Sequence, residues 1–184
     1  IAMIHQSSSE ASVLLNNLLD WARIQSGKIQ YSPNRFRLKE ILNPITGLMK
    51  LSMEEKNLIL ETDFNDDQLV FADAKMLDIV FRNLLSNAIK FSYKGGKIII
   101  RAENIQEGVK LSVIDEGKGI SKKNLSQLFQ VNKTFTTNGT ENEKGTGLGL
   151  IICQEFLNRH GSKIEIESVE GKGSRFGFVL REGG

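Results

Sequence analysis

The sequence predicts an α+β sandwich, with helices on one face of a largely antiparallel sheet. Three observations predict it. Ile98 and Ile100 alternate with Lys97 and Arg101, and Val109, Leu111 and Val113 alternate with Lys110 and Ser112. The short link Asn104–Gly108 makes these two runs a hairpin. Lys163–Val169 and Arg175–Leu180 form a second alternating pair, joined by Glu170–Gly173. Helical periods stand before and between the pairs, most clearly at Met76, Leu77, Val80, Leu84, Leu85 and Ala88.

The remaining elements follow in order. Residues 1–26 carry a 3-4 spacing with an apolar centre, a second row at Leu14 and Trp21, and a stop at Gly27. This is either an ordinary core helix or half of a helical hairpin whose other half lies N-terminal to Ile1. Residues 28–37, with Pro33, read as a connector. Leu38 to about Lys56 reads as a helix that Pro44 starts late or kinks. Leu58–Thr62 and Leu69–Phe71 read as short strands, and Asp73 as the N-cap of the helix that Tyr93–Gly96 ends. Residues 121–129 read as a short helix. Residues 130–145 are polar and aperiodic, the pattern of a long mobile loop or lid. A further helix runs from about Leu148 to Arg159, stopped by His160-Gly161.

Composition excludes several classes. Of 184 residues, 40% are apolar and 25% charged, and the 24 basic and 22 acidic residues leave a formal charge of +2. That balance gives no electrostatic reason to expect nucleic acid or an anionic membrane. No run reaches the roughly 18 apolar residues a membrane span needs, and no secretory leader is visible. Cys153 is the sole cysteine, so a disulfide framework and a cysteine zinc site are excluded, and His5 and His160 are too few for a multi-histidine metal centre. Glycine, at 17, is abundant and proline, at 2, is scarce. Before Gly95 only Gly27 and Gly47 occur; most of the others fall in pairs or a triplet at Gly95-Gly96, Gly117 and Gly119, Gly145, Gly147 and Gly149, and Gly171 and Gly173.

Three of these places carry chemistry. Asn83, Asn87 and Lys90 stand at i, i+4 and i+7, on one helix face. Amide oxygens suit a hard cation such as Mg²⁺ and an ammonium suits phosphate, although a solvated helix face reads the same way. Asp115-Glu116-Gly117-Lys118-Gly119-Ile120 follows a strand directly. A strand-end carboxylate backed by glycines can accept from an exocyclic amine while the backbone lies close to a flat ring; a plain glycine turn is the equal alternative. Gly145-Thr146-Gly147-Leu148-Gly149-Leu150 opens a helix, where glycines expose N–H groups to phosphate and the dipole favours anions. It lacks the GK[ST] ending of a Walker A loop and does not follow a strand as a Rossmann fingerprint does.

The order of the motifs is more specific than any one of them. Asn-x₃-Asn-x₂-Lys-Phe, Asp-x-Gly-x-Gly-Ile, a lid, Gly-Thr-Gly-Leu-Gly-Leu and Gly-Lys-Gly-Ser-Arg-Phe together resemble the ATP-binding catalytic domain of two-component sensor histidine kinases. Those kinases share a superfamily with gyrase, mismatch-repair and heat-shock-chaperone ATPases. The resemblance covers about Arg35 to Leu180. It implies a Bergerat-type two-layer α/β sandwich over 38–184, a linker at 28–37, and a truncated second helix of the family's dimerisation hairpin over 1–27. It implies ATP and Mg²⁺, with Asn87 on the metal, Asn83 beside it and Lys90 on phosphate. Phe91 would pack on adenine and Asp115 would accept from its amine. Gly117, Gly119 and Ile120 would give the ring room, and Ser174 would support Asp115. Gly145, Thr146, Gly147, Leu148 and Gly149 would bind phosphates through backbone amides, with Lys133 and Lys144 in reach. Phe129 and Phe135 fall in the family's F-box region, where Gln130–Lys133 depart from the common pattern.

Asn83 occupies the position where the ATPase members of the superfamily carry a glutamate base, so the resemblance favours phosphoryl transfer over hydrolysis. His5 is followed by Gln6, not by the carboxylate of the phosphoacceptor motif, so it reads as an ordinary helix residue. The acceptor histidine is expected N-terminal to this chain. The implied partners are a response-regulator receiver domain and a second copy through the hairpin, with no nucleic acid and no membrane contact, in the cytoplasm. A superfamily ATP hydrolase and a non-catalytic module that has lost its ligand are the alternatives. His160 reads as a helix-end histidine complementing the dipole, and Cys153 as a small buried residue.

Overall fold

The computed structural model describes residues 30–125, 127–128, 137–143, 145 and 147–181. The expected helix over 1–26, Phe129, Gln130–Lys133, Phe135, Lys144 and Thr146 lie outside the described residues. The first strand, β1 (Asn34–Arg37), pairs antiparallel with β3 (Leu69–Ala72). Five strands form the main sheet in the order β2-β4-β5-β7-β6. They are β2 (Ile59–Asp63), β4 (Lys97–Ile105), β5 (Gly108–Asp115), β6 (Glu165–Val169) and β7 (Gly173–Arg181). Among the described strands, β2–β4 is the one parallel pair. The helices are α1 (Leu38–Glu55), α2 (Ala74–Phe91), α3 (Lys122–Leu125) and α4 (Gly149–Arg159). The expected α+β sandwich with a mixed, mostly antiparallel sheet is the observed fold.

The long helix α2 organises the core. Asp73 caps it, its Oδ1 accepting from the Lys75 and Met76 amides at 3.0 and 3.1 Å. Met76, Leu77, Val80, Phe81, Leu84, Leu85, Ala88 and Ile89 are buried, a broad apolar face at helical spacing. That face packs between α1, α4 and β5, and Phe81 meets Phe178 of β7 with ring centroids 5.9 Å apart. Asn83, Asn87 and Lys90 are among the residues left outside that buried face.

Four local readings differ from the structure. Asn34–Arg37, part of the expected connector, is a strand; its NRFR sequence lacks the alternation that marks the others, and pairing with β3 supplies the order. Pro44 sits inside α1, which still begins at Leu38. Pro44 is on the exposed side, where the Glu40 carbonyl it leaves unpaired can turn to water. The expected 121–129 helix is a single turn, α3, started by the Ser121 carbonyl accepting from Asn124 at 2.9 Å. His160 does not act as a cation on the helix dipole. Its Nδ1 bonds the Phe156 carbonyl at 2.7 Å and its Nε2 accepts from the Asp73 amide at 3.0 Å, the pattern of a neutral ring. Burial holds its pKa below the usual histidine value, against the Phe156 bond and the Asp73 charge.

Candidate functional site

A cavity of about 450 Å³ opens between the exposed face of α2, the turn after β5, the β6–β7 turn and the start of α4. Asn83, Asn87, Lys90, Phe91, Asp115, Gly119, Ile120, Gly145, Gly147, Gly149 and Ser174 all line it. Gly117 and Leu148 are not on its wall. Gly117 lies behind Asp115, and Leu148 turns into the core as the N-cap of α4. Lys133, Lys144 and Thr146 fall outside the described residues.

The end at the sheet is fixed by backbone. Asp115 closes β5 opposite Ser174 and is 4% exposed. Its Oδ1 accepts from the Gly117 amide at 2.9 Å. Burial pushes its pKa up to about 6, although the backbone amides of Gly117 and Ser174 favour the ionised form. The Ser174 hydroxyl is 3.0 Å from the Ser168 hydroxyl, which in turn accepts from the Ile120 amide at 2.8 Å. Side chains would not fit here. A Cβ at Gly117 would collide with the Phe91 carbonyl oxygen, and Gly119, at φ +62, approaches the Val169 carbonyl as closely. The result is a buried acceptor with flat, bare backbone beside it, suited to a planar ring that carries an amine.

The other end is built from helix termini. Helix α4 begins without a side-chain cap, and its first internal bond runs from the Ile152 amide to the Leu148 carbonyl at 3.0 Å. The first-turn amides of a helix have no acceptor within it, and those of α4 open beside Gly145, Gly147 and Gly149 on the cavity wall. Gly149 lets α4 approach α2, since a Cβ there would stand 2.6 Å from Asn83 Oδ1. Asn83 Nδ2 donates to the Ile79 carbonyl at 2.9 Å, which orients the amide and turns its oxygen toward α4. Lys90 Nζ would be 2.6 Å from a Cβ on Gly145, so its ammonium sits against that turn. Uncapped amides, amide oxygens and an ammonium make an anion site with room for a hard cation. Among the described residues no cluster of His, Cys, Asp or Glu could hold a metal. The donor set fits Mg²⁺ nonetheless, because Mg²⁺ takes few protein oxygens and completes its shell from phosphate and water.

Sequence reading missed three contributors. Lys118 lies on the wall, its Nζ 4.9 Å from the Phe91 ring centroid and donating to the Asn138 carbonyl. Lys90 approaches the same ring at 4.8 Å, so Phe91 holds two cations at the cavity. Lys56, 5% exposed, bonds the Ile89 and Lys90 carbonyls at 3.0 and 3.1 Å. Thr140 lies across the same helix end. The signal available was weak: Lys118 stood inside a motif noted for its glycines, and Lys56 looked like one more charge at a helix end.

Fold and cavity together define an ATP-binding domain of the Bergerat type. The chain belongs to the family of histidine kinase-, DNA gyrase B- and HSP90-like ATPases, which matches residues 72–184. It is 34% identical over 185 residues to the circadian input-output histidine kinase CikA of Synechococcus elongatus, covering 99% of this chain and 24% of that protein. It is 31% identical over 181 residues to the non-motile and phage-resistance protein of Caulobacter vibrioides, covering 96% of this chain and 22% of that protein. The catalytic domain of the histidine kinase ThkA superposes with a TM-score of 0.69 at 32% identity, covering 82% of this chain and 98% of that one. This chain thus spans less than a quarter of either curated relative and has the catalytic-domain fold of histidine kinases.

Proposed function

We propose that this chain is the catalytic part of a two-component sensor histidine kinase, passing the γ-phosphoryl of ATP to a histidine outside it, for relay to a response-regulator aspartate. One observation carries the reading: Asp115 at one end of the cavity and the uncapped, glycine-lined start of α4 at the other, with Asn83, Asn87 and Lys90 between them. Asp115 accepts from the adenine amine. Gly119 and Ile120 leave the ring space, Phe91 and Ser174 border it, and Gly117 lies behind Asp115 and holds its carboxylate. The amides from Gly145 to Gly149, with Lys90, take the phosphates; Thr146, Lys133 and Lys144 belong to the same segment of sequence. Asn87 and Asn83 would hold Mg²⁺, which when bound neutralises phosphate charge.

The protein's share of phosphoryl transfer is positioning and charge neutralisation. The carboxylates on the cavity wall are Asp115 and Glu170, both at the sheet end, so among the described residues no carboxylate on the wall stands at the phosphate end to activate water. That favours transfer over hydrolysis. In the parent protein residues 1–27 would form the second hairpin helix of a homodimer, 28–37 the linker and 38–184 the catalytic domain. No described helix is long and apolar enough to cross a membrane, and a cytoplasmic position fits the reading.

Incubation with γ-labelled ATP and Mg²⁺ tests it. The chain should bind nucleotide, release phosphate no faster than a slow background, and carry no label on His5. Sustained Mg²⁺-dependent phosphate release would make it a hydrolase, and acid-labile label on His5 would place the acceptor inside the chain.

A further inference from the structure

The carbonyl end of α2 is where three segments of the molecule meet. A helix leaves its last four carbonyls without helical partners. Of these, Ala88 accepts from the Ser92 amide at 2.9 Å and Phe91 from the Lys118 amide at 3.0 Å. The two between them, Ile89 and Lys90, are taken by Lys56 Nζ, which reaches in from the end of α1. The same ammonium donates to Thr140 Oγ1 at 2.9 Å and pairs with Glu143 Oε1 at 2.5 Å. Thr140 returns to the helix end, its amide donating to the Lys90 carbonyl at 3.1 Å and its hydroxyl to the Ser92 carbonyl at 2.7 Å. Within the segment, the Gly139 amide donates to the Glu143 carbonyl at 2.9 Å, and the Glu141 amide to Glu143 Oε2 at 2.8 Å. A buried cation with acceptors on α2 and on the 137–143 segment is a stiff joint, because removing it takes the partner from the buried Ile89 carbonyl and unties Glu143 from the helix end.

The joint stands two residues before Gly145, whose backbone lies against the Lys90 ammonium. We propose that Lys56 is a positioning residue for phosphate recognition: by tying Glu143 and Thr140 to the carbonyl end of α2, it holds the 137–143 segment so that Gly145 and Lys90 face the phosphates together. This rests on the ATP reading of the cavity and adds a residue that no motif contains. Lys56 touches no ligand in this account. Its effect is confined to the phosphate end, since Asp115 is held by sheet amides that it does not contact. The carboxylate of Glu143 suits the role: burial raises its pKa, but Lys56 and the nearby amides outweigh that and hold it below the usual glutamate value.

The test compares AMP with a non-hydrolysable Mg-ATP analogue on the full chain, by calorimetry. Lys56→Met should weaken the analogue about tenfold, the scale of one charge-assisted hydrogen bond, and leave AMP within about twofold. In nucleotide-free protein, hydrogen exchange at the Gly139 and Thr140 amides should rise by about the same factor. Should Lys56→Met fail to fold, Glu143→Gln carries the test: its side chain is 31% exposed, it retains the Lys56 bonds to α2, and a smaller loss confined to the analogue is expected. Equal losses for AMP and the analogue, or faster exchange with unchanged analogue affinity, would overturn the proposal. A wild-type chain that binds no adenine nucleotide would bring down the ATP reading and this proposal with it. Wild-type binding without the split brings down the proposal alone.

Discussion

At the sheet end of the cavity, the contacts that hold Asp115 come from the strands of one sheet and the turns that leave them. Asp115 pairs with Ser174 in the β5–β7 register, Gly117 follows two residues later, and the Ser168 hydroxyl joins β6 to the Ile120 amide. At the phosphate end the contacts are made by side chains that run between the end of α1, the carbonyl end of α2 and a loop. Lys56 reaches Thr140 across 84 positions, and Thr140 reaches Lys90 across 50. One end is rigid because it is part of a sheet; the other is ordered by side chains that hold a loop to a helix terminus. The difference teaches that base recognition and phosphate recognition can be perturbed separately.

The largest expected effect is at the sheet end. Asp115→Asn leaves one acceptor oxygen, which the Gly117 amide claims, and turns a donor toward the adenine amine. Affinity for AMP, ADP and ATP should fall alike, by about ten- to a hundredfold, the worth of a hydrogen bond to a charged group. Circular dichroism should show the fold intact. A loss confined to ATP would mean that the two ends are not separable.

Acid should act on the same end without mutation. The Asp115 pKa is raised to about 6 in the free chain, so the carboxylate is lost as pH falls through that value. Adenine needs the ionised form, so affinity should decline below pH 6, by up to about tenfold per unit. Titrations between pH 5 and 7.5 check this, and a flat profile would remove Asp115 as the acceptor.

Gly149→Ala probes the opposite end. Its Cβ would press on Asn83 Oδ1 and move the amide. We expect a fewfold to tenfold loss for Mg-ATP analogues, at a cost of about 1 kcal/mol, and little change for AMP. Equal loss for AMP would place Asn83 near the base instead.

The smallest effect lies away from the cavity. His160 has a lowered pKa, so its contribution to stability is present above the usual value of 6.5 and is lost as pH falls below it. Asp115 acts oppositely: its raised pKa contributes stability below 3.8 that is lost as pH rises through about 6. Denaturant melts of wild type and His160→Gln across this range should separate the two slopes, each at most one proton. An unchanged slope in the variant would mean that the ring does not titrate with folding.

The same contrast explains what was legible in the sequence. Asn83, Asn87 and Lys90 share a helix face by spacing, and the strand before Asp115 alternates cleanly, so local pattern sufficed. The glycine clusters pointed to close backbone approach, which the collisions at Gly117, Gly119 and Gly149 account for. Lys56 and Lys118 were not legible as site residues, because their importance lies in which carbonyls they meet after folding. Strand β1 was missed for the same reason: NRFR becomes a strand only beside Leu69–Ala72.

The central claim is that Asp115 reads an amine on a flat ring whose phosphates lie at the start of α4. Competing Mg-ADP against Mg-GDP tests it most directly. Guanine places an acceptor oxygen where adenine places its amine, so the carboxylate should repel it. The account predicts one ADP bound per chain, with GDP weaker by at least about tenfold, the cost of an unpaired buried carboxylate. Equal affinities for the two nucleotides would contradict it.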